Sequence, residues 1–268
     1  MKVLLLTGSH PRHLYVVNQL DKLGIITAHV KEVREEFMPQ PPGYLEDIDR
    51  TNFIRHFADR DEAERRHFAG NEEVKTEIPT LQVTHVTLNS SETIKWVKEQ
   101  TFDLAISYGV HMLSKELLDV MPAHSWNIHG GLSPWYKGNT TLFWPFFMLR
   151  PNWAGMTVHR LTSRLDAGEI VHQSVPHLAY GDGLHDVACK AVMQVAEDLV
   201  QIIQNTPLRE IPYVPQKGNG KLWIGTDWIP QHLRFVYNVY NNDIVDQFLD
   251  GKLPRMDPPI ISALRKEE

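Results

Sequence analysis

Residues 103–131 read DLAISYGVHMLSKELLDVMPAHSWNIHGG. An apolar run, DLAISY, is followed by a loop, by a stretch with helical spacing, SKELLDVM, and by a second apolar run, SWNI. This order predicts two parallel strands joined by a crossover helix. Asn127 and His129 stand at the end of the second strand, two residues apart, and therefore project from the same face. The stretch predicts a parallel sheet with a polar pair at the carboxyl end of one strand.

The same alternation runs through the first two hundred or so residues. The predicted strands are VLLL (3–6), IITAHV (25–30), VTHVTL (83–88), DLAISY (103–108) and SWNI (125–128). The predicted helices follow the TGSHPR turn as far as about Leu23 and cover residues 91–100 and 114–121. This repetition predicts an α/β fold, doubly wound around a mostly parallel sheet. Ligands of such sheets bind beyond the carboxyl ends of the strands, where Asn127 and His129 lie.

Two segments depart from this pattern and set the predicted domain organisation. Residues 41–75 are highly charged and contain a helix-compatible stretch, with Phe53 and Phe57 four residues apart, so they predict a helical insertion over the site or else a solvated surface helix. A clean apolar stripe then predicts a helix near residues 183–204. The stripe consists of Leu184, Val187, Ala191, Val195, Leu199 and Ile203. Beyond the main domain, 1–204, residues 205–268 are aromatic and carry eight basic and eight acidic residues, which predicts a small neutral appendage packed on it.

Composition excludes several classes of protein. With 268 residues and a formal net charge of -6, the chain can bury a large core and offers no general reason to expect nucleic acid as a partner. Cys189 is the single cysteine, so no intrachain disulfide can form. The start, MKVLLLTGSH, has an apolar run of only four residues, which is too short for the apolar core of a signal peptide. No apolar run in the chain reaches membrane-spanning length. These features predict a cytoplasmic protein that does not enter membranes.

For two motifs, residue spacing alone does not decide between a structural and a functional role. The GSHPRH turn after the first strand could present backbone N–H groups to a phosphate, but it has one glycine and also fits an ordinary turn capped by Ser9. The histidines are scattered without a recognised metal spacing, so no metal is expected. Farther on, MTVHRL and EIVHQ predict paired strands with Asp166 in the turn between them. That Asp is either a common Asp-x-Gly turn or the third member of a group with Asn127 and His129 that suits attack on a carbonyl.

Two longer motifs carry a resemblance to a known family. NIHGGLSPWYKG (127–138), followed by HRLTSRLDAGEIVHQ (159–173), resembles the formyltetrahydrofolate-dependent formyltransferases, which act on glycinamide ribonucleotide, methionyl-tRNA or amino sugars. The positions that match the family pattern are Asn127, His129, Leu132, Pro134, Gly138, Leu165, Asp166 and Gly168. The chain departs from that pattern at Gly130, Gly131 and Ser133, which changes the loop and leaves the three polar residues intact. The resemblance spans about residues 1–204 and is closest from about residue 103.

The resemblance implies a Rossmann-like formyltransferase domain and roles for its residues. Asn127 and His129 would stabilise the oxyanion formed when an amine attacks the formyl carbon of N10-formyltetrahydrofolate, and Asp166 would hold His129 and relay protons. The glycines after His129 would leave room for the acceptor. The residues implied in binding this donor are Gly109, Val110, His111, Met112, Leu113, Arg164 and Leu165. Those predicted for the acceptor are Ser9, His10, Arg12 and Lys137.

Comparison within the family narrows the range of possible acceptor molecules. The neutral tail is unlike the basic domain of the tRNA enzymes, and the GSHPRH turn is unlike the glycine-rich phosphate loop of the glycinamide ribonucleotide enzymes. The resemblance is therefore greatest to the sugar N-formyltransferases, whose acceptors are nucleotide-linked amino sugars of surface polysaccharide biosynthesis. Aromatic residues of the insertion or tail could stack on the base. A formyltetrahydrofolate deformylase, another amine acceptor, a binding module without turnover and a homodimeric assembly all stay open.

Overall fold

A seven-stranded sheet forms the centre of the computed structural model, which describes residues 1–33, 38–218 and 220–264. The strand order is β3-β2-β1-β4-β5-β7-β8, with the first five strands parallel and β7 antiparallel to both of its neighbours, β5 and β8. The strands are β1 (Val3–Gly8), β2 (Ile26–Glu32), β3 (Thr80–Val83), β4 (Leu104–Tyr108), β5 (His124–His129), β6 (Tyr136–Gly138), β7 (Met156–Arg160), β8 (Ile170–Ser174) and β9 (Lys221–Trp223). The predicted α/β fold with a mostly parallel sheet is confirmed.

Helices cover the sheet because its central strands are apolar on both faces. β1 and β4 are buried along their whole length, as expected for parallel strands inside a sheet. The α-helices are α1 (Pro11–Asp21), α2 (Asp47–His67), α3 (Ser91–Lys98), α4 (Lys115–Leu118), α5 (Trp144–Phe147), α6 (Leu184–Asn205) and α7 (Ile244–Leu249). Leu14 and Leu199, from α1 and α6, pack in the core of one face, while Val97 and Leu117, from α3 and α4, pack in that of the other. Full burial of such a side chain stabilises the fold by about 1.5–3 kcal/mol.

The long helix α6 follows the predicted stripe. All six stripe residues are buried, and the helix packs against α1 and α2. It ends at Asn205, before Thr206 and Pro207. A proline at this position cannot continue a helix, which explains the end of the element.

One predicted strand is displaced. β3 covers Thr80–Val83, whereas residues 84–88 of the predicted strand VTHVTL form a turn. In this turn the Thr87 hydroxyl oxygen accepts from the Thr84 backbone N–H at 2.8 Å, and the Leu88 N–H donates to the Thr84 carbonyl at 2.8 Å. Alternating Val and Thr residues mimic a strand pattern, but the threonine side chain offers the backbone a local partner instead.

The insertion forms the predicted helix, and one of its faces is buried. α2 packs against α6 and also meets the segment that follows α6. Arg234 pairs with the buried Asp49 through Nε and Oδ1 at 2.6 Å, and the Asn52 side-chain amide donates to Oδ1 of Asn238 at 2.7 Å. The alternative of a freely solvated surface helix is therefore wrong.

The segment after α6 wraps back over the molecule. β9 pairs with β6 in a separate two-stranded sheet, and Leu233, Val236 and Ile244 share a core with aromatic residues that follow β6. The proposed boundary between residues 204 and 205 stays a prediction. Of the predicted appendage, Asn219 and residues 265–268 lie outside the described residues.

The edge strand β8 is covered by two distant segments. Ile170 exchanges both backbone hydrogen bonds with Val214 at 2.8 Å. The Gln173 N–H donates to the Ile261 carbonyl at 2.7 Å, and the Ala263 N–H donates to Nδ1 of His172 at 3.2 Å. Backbone groups of an edge strand that would otherwise be open are thereby paired.

Candidate active site

A cavity of about 310 Å³ opens at the carboxyl ends of β4 and β5. Its lining contains every residue predicted for catalysis and for donor binding, contributed by three separate parts of the chain. These residues are Asn127, His129 and Asp166, the loop Gly109, Val110, His111, Met112 and Leu113, and the turn residues Arg164 and Leu165. We call it the donor cavity. Its position is the one expected for a ligand site in a doubly wound sheet.

The amide of Asn127 is held in one orientation. The Ser107 hydroxyl donates to Asn127 Oδ1 at 2.7 Å, so the other arm of the amide must be the NH2 group. That NH2 lies 3.2 Å from Nε2 of His159 on the neighbouring strand β7. His159 donates from Nδ1 to the Arg160 carbonyl at 2.9 Å, which leaves its Nε2 able to accept. One N–H of Asn127 therefore remains for a ligand in the donor cavity.

His129 is buried, with 7% of its surface exposed, and both ring nitrogens have partners. Nε2 donates to the Tyr136 carbonyl at 2.8 Å, while Nδ1 lies 3.4 Å from Oδ2 of Asp166. Burial lowers the pKa of His129, and the Asp166 carboxylate opposes that effect. Because Nε2 keeps its proton on a carbonyl, Nδ1 is the nitrogen that can gain or lose a proton, and it faces Asp166.

Asp166 is held in a turn with a φ of 45°. Asp is one of the few residue types other than glycine that adopt this conformation. Its Oδ2 accepts the Gly138 N–H at 2.9 Å, and its Oδ1 lies 3.5 Å from Nε2 of His159. Burial by itself raises the pKa of Asp166, but the imidazoles of His159 and His129, when protonated, and the Gly138 N–H outweigh it and hold the pKa below its ordinary value. The carboxylate is therefore ionised at neutral pH.

His159 is a site residue that the sequence analysis did not single out. It lies opposite Asn127 in the β5–β7 ladder and contacts both Asn127 and Asp166. The available signal was its position in the predicted strand MTVHRL, seven residues before Asp166. Only the pairing of that strand with β5 brings it to the site.

The two glycines that follow His129 differ in whether the surrounding structure requires a glycine at that position. A Cβ at Gly131 would lie 2.5 Å from the Tyr136 carbonyl oxygen and 2.9 Å from Nε2 of His129. Gly131 is thus required for the close approach that holds the His129 ring, whatever it does for an acceptor. A Cβ at Gly130 would meet only ordinary contacts with Leu142 and Met156. Gly130 lines the donor cavity and two further cavities beside it.

Those two cavities, of about 370 and 240 Å³, share Arg12, Arg60, Gly130, Leu142, His185 and Ala188 in their linings. We call them together the second cavity. Of the residues predicted for the acceptor, Arg12 lies here, whereas Ser9, His10 and Lys137 line neither the donor cavity nor the second cavity. His56, Phe57 and Arg60 of α2, together with Trp228, complete the wall. The insertion thus borders the site.

Within the described ranges 1–33, 38–218 and 220–264, no three His, Cys, Asp or Glu side chains are grouped as metal ligands would be. In the same ranges no helix has the length and apolar character needed to cross a bilayer.

The fold and the site together define a class of enzyme. A doubly wound sheet carries, at the carboxyl ends of its strands, an amide, an imidazole and a carboxylate around one cavity, a set suited to group transfer at a carbonyl. Residues 50–203, more than half of the chain, match the family model described as formyl transferase. The chain belongs to that family and is an enzyme of formyl transfer.

Solved structures with similar folds include several formyltransferases. An N-formyltransferase from Helicobacter canadensis, in complex with folinic acid and dTDP-3-aminofucose, has a TM-score of 0.55 at 15% identity, over 90% of this chain and 82% of that one. A sugar N-formyltransferase from a Shewanella species has a TM-score of 0.55 at 14% identity, over 85% and 78%. Phosphoribosylglycinamide formyltransferase from Anaplasma phagocytophilum has a TM-score of 0.52 at 16% identity, over 84% and 97%. At these identities the likeness is one of fold.

Proposed function

We propose that this enzyme transfers the formyl group of N10-formyltetrahydrofolate to the amino group of a nucleotide-linked amino sugar. The observation that carries the proposal is the convergence of Asn127, His129 and Asp166 on the cavity that also contains the whole predicted donor loop. The family match and the folate in the Helicobacter relative support the donor. The nucleotide-linked sugar in the same relative supports the acceptor class.

The residues of the donor cavity suit a folate. Val110, Met112 and Leu113 supply apolar surface for a flat ring, and the backbone of the 109–113 loop supplies hydrogen-bonding groups. The donor, when bound, supplies the formyl group whose carbon the acceptor amine attacks. All remaining chemistry falls to side chains of this protein.

Asn127 stabilises the negative charge that develops on the formyl oxygen, and the His129 ring adds to this stabilisation once it has taken up a proton. Asn127 lines the donor cavity, and the second N–H of its amide, which Ser107 orients, can donate to that oxygen. A hydrogen-bond donor that is already oriented before the reaction stabilises the transition state more than one that must reorient. Loss of such a hydrogen-bond donor typically lowers the rate about 10²–10³-fold.

His129 and Asp166 take up the proton that the amine loses as its bond to the formyl carbon forms. A proton returns to N10 as the bond from N10 to that carbon breaks and tetrahydrofolate leaves. Nδ1 of His129 faces the ionised Asp166 carboxylate across 3.4 Å, so a proton taken up by the ring is stabilised where it arrives. General acid–base groups of this kind typically contribute about 10²–10⁴-fold in rate. In this arrangement His159 fixes the position of Asp166 relative to Asn127.

The acceptor class is tested with a panel of dTDP-, UDP- and GDP-linked amino sugars and 10-formyltetrahydrofolate. We expect formylation of at least one member, seen as a mass increase of the sugar together with release of tetrahydrofolate. Absence of formylation across the panel would count against the proposal. Tetrahydrofolate released without any amine would indicate hydrolysis of the donor instead.

His129→Ala tests the catalytic assignment. We expect the rate to fall by roughly 10²–10⁴-fold, the range for a general acid or base. Binding of folinic acid should persist, since the loop that lines most of the donor cavity is unchanged. A variant that keeps its full rate would remove His129 from the proposal.

A further inference from the structure

The insertion helix α2 and the segment around Trp228 meet over the second cavity. His56 of α2 lies 3.1 Å, through Nδ1, from the hydroxyl of Tyr237, and Phe57 lies 6.4 Å from Trp228 between ring centroids. The ion pair of Arg234 with Asp49 ties the same two segments together beyond the cavity. Two segments that are distant in sequence thus form one wall, and we call this wall the clamp.

The second cavity is lined by two guanidinium groups, of Arg12 and Arg60, and by one carboxylate, of Glu64. Arg12 is bound by Glu64, with its Nη1 at 2.6 and 2.9 Å from the two carboxylate oxygens. Arg60 lies over the Phe57 ring, 4.8 Å from its centroid. Within the described residues its guanidinium makes no ion pair or hydrogen bond, and the only carboxylates that act on it, those of Glu64 and Asp61, are more distant. Burial lowers the pKa of Arg60, but a guanidinium in a protein stays charged. A half-buried cation left in this way is poised to bind an anion.

Aromatic surface lies beside the charge. Phe57 and Trp228 are both half-buried and both line the cavity, with their ring planes inclined at 68°. His56 of this wall forms a hydrogen-bonded pair at 3.2 Å with His185 of α6, which also lines the cavity. Stacking on an aromatic side chain suits any base, because every base has a π-face. Gly130 lines both this cavity and the donor cavity, so the reactive group of a ligand bound here would reach the donor cavity past Gly130.

We propose that the clamp is the recognition site for a nucleoside diphosphate, with Arg60 on the phosphates and Phe57 and Trp228 against the base. This inference rests on the proposed function and deepens it, because it gives the insertion a role in acceptor binding. A sugar attached to the diphosphate would extend past Gly130 toward His129. Arg60 is the anion-binding residue, and Phe57 and Trp228 provide the stacking surface.

The test measures binding of UDP, dTDP and GDP, without sugar or donor, to the full chain by calorimetry. We expect saturable binding of at least one of them, weakened at least tenfold by Arg60→Gln. The matched control is Arg65→Gln on the same helix, since Arg65 is exposed and pairs with Asp61 away from the cavity. The control should bind within twofold of the unaltered chain, and all variants should bind folinic acid equally.

Phe57→Leu gives a second, independent variant, because it keeps apolar volume and removes the stacking surface. It should weaken nucleotide binding at least fivefold. The proposal is overturned if no nucleoside diphosphate binds, or if neither Arg60→Gln nor Phe57→Leu weakens binding. The two proposals fail separately. Nucleotide binding at the clamp without formylation of any nucleotide-linked sugar would defeat the proposed function, whereas formylation insensitive to Arg60→Gln and Phe57→Leu would defeat only the clamp.

Discussion

Asp166 shows how single residues share the work of this site. Its carboxylate accepts a backbone N–H from Gly138 and faces two imidazoles, so it positions groups and also changes their charge. The motif around Asp166 was visible in the sequence, and so was the pair Asn127 and His129. His159 was not, because its role depends on strand pairing across thirty-two positions, which no local pattern encodes.

Asp166→Asn should change the pH dependence of catalysis. The carboxylate opposes the lowering of the His129 pKa by burial, so its removal lets that pKa fall further. The acid limb of the rate–pH profile should therefore move to lower pH, while the rate itself falls by roughly 10²–10⁴-fold. Single-turnover rates across pH measure both effects. An acid limb that stays in place or moves to higher pH would contradict the role given to Asp166.

At the scale of elements, the donor loop is held from two sides. The carboxylate of Glu32, at the end of β2 and 0% exposed, accepts the His111 N–H at 2.8 Å and contacts the His111 ring. Asn89 donates to the Met112 carbonyl at 3.0 Å and accepts the Ser114 N–H at 2.7 Å. The sequence predicted the loop but neither of these contacts, because Glu32 ends β2 and Asn89 lies in the turn between β3 and α3, both distant from the loop along the chain. It also misplaced β3, where local threonine hydrogen bonds compete with pairing.

Glu32→Gln should therefore weaken donor binding and spare the chemical step. The change removes the charge that holds the His111 ring and keeps an oxygen that can accept the backbone N–H. Because hydrogen bonds to charged groups contribute about 1.5–3 kcal/mol, we expect the KM for the donor to rise roughly tenfold or more. The value of kcat should change little. Glu99→Gln, at an exposed position just after α3, is the charge-matched control. An unchanged KM in Glu32→Gln would show that the loop holds its shape without this carboxylate.

At the scale of the whole molecule, a buried histidine makes folding sensitive to acid. His29 is 0% exposed, and burial lowers its pKa to about 4, with a smaller contribution from Lys31. Above its ordinary pKa of 6.5 the ring is neutral in both states. Below that value the unfolded chain takes up a proton that the folded chain refuses until about pH 4, so stability is lost as the pH falls.

Between pH 6 and 4.5 we expect this one group to lower the free energy of unfolding by about 1.4 kcal/mol per pH unit. His29→Gln keeps a side chain that can hydrogen-bond the Thr7 hydroxyl, which lies 2.8 Å from Nε2 of His29. The slope of stability against pH should decrease by about that amount in the variant, as measured by urea unfolding at a series of pH values. Equal slopes in the two proteins would contradict the assignment.

The fold class was predictable because alternating apolar and helical periods specify a layered α/β architecture at every step of the chain. The arrangement of the clamp was not predictable. Its contacts join residues of α2 to residues some 170 to 190 positions later, as in the pairs His56–Tyr237 and Asp49–Arg234. Such pairs follow from tertiary packing and leave no periodic trace in the sequence.

The cover on strand β8 carries a consequence for handling the protein. Removing residues 258–268 would take Ile261 away from Gln173 and expose the backbone groups of β8 beyond Ile170, which stays paired with Val214. Two such chains could then dock edge to edge and continue the sheet from one molecule into the next. Light scattering should show self-association of the shortened chain at concentrations where the longer one remains dispersed.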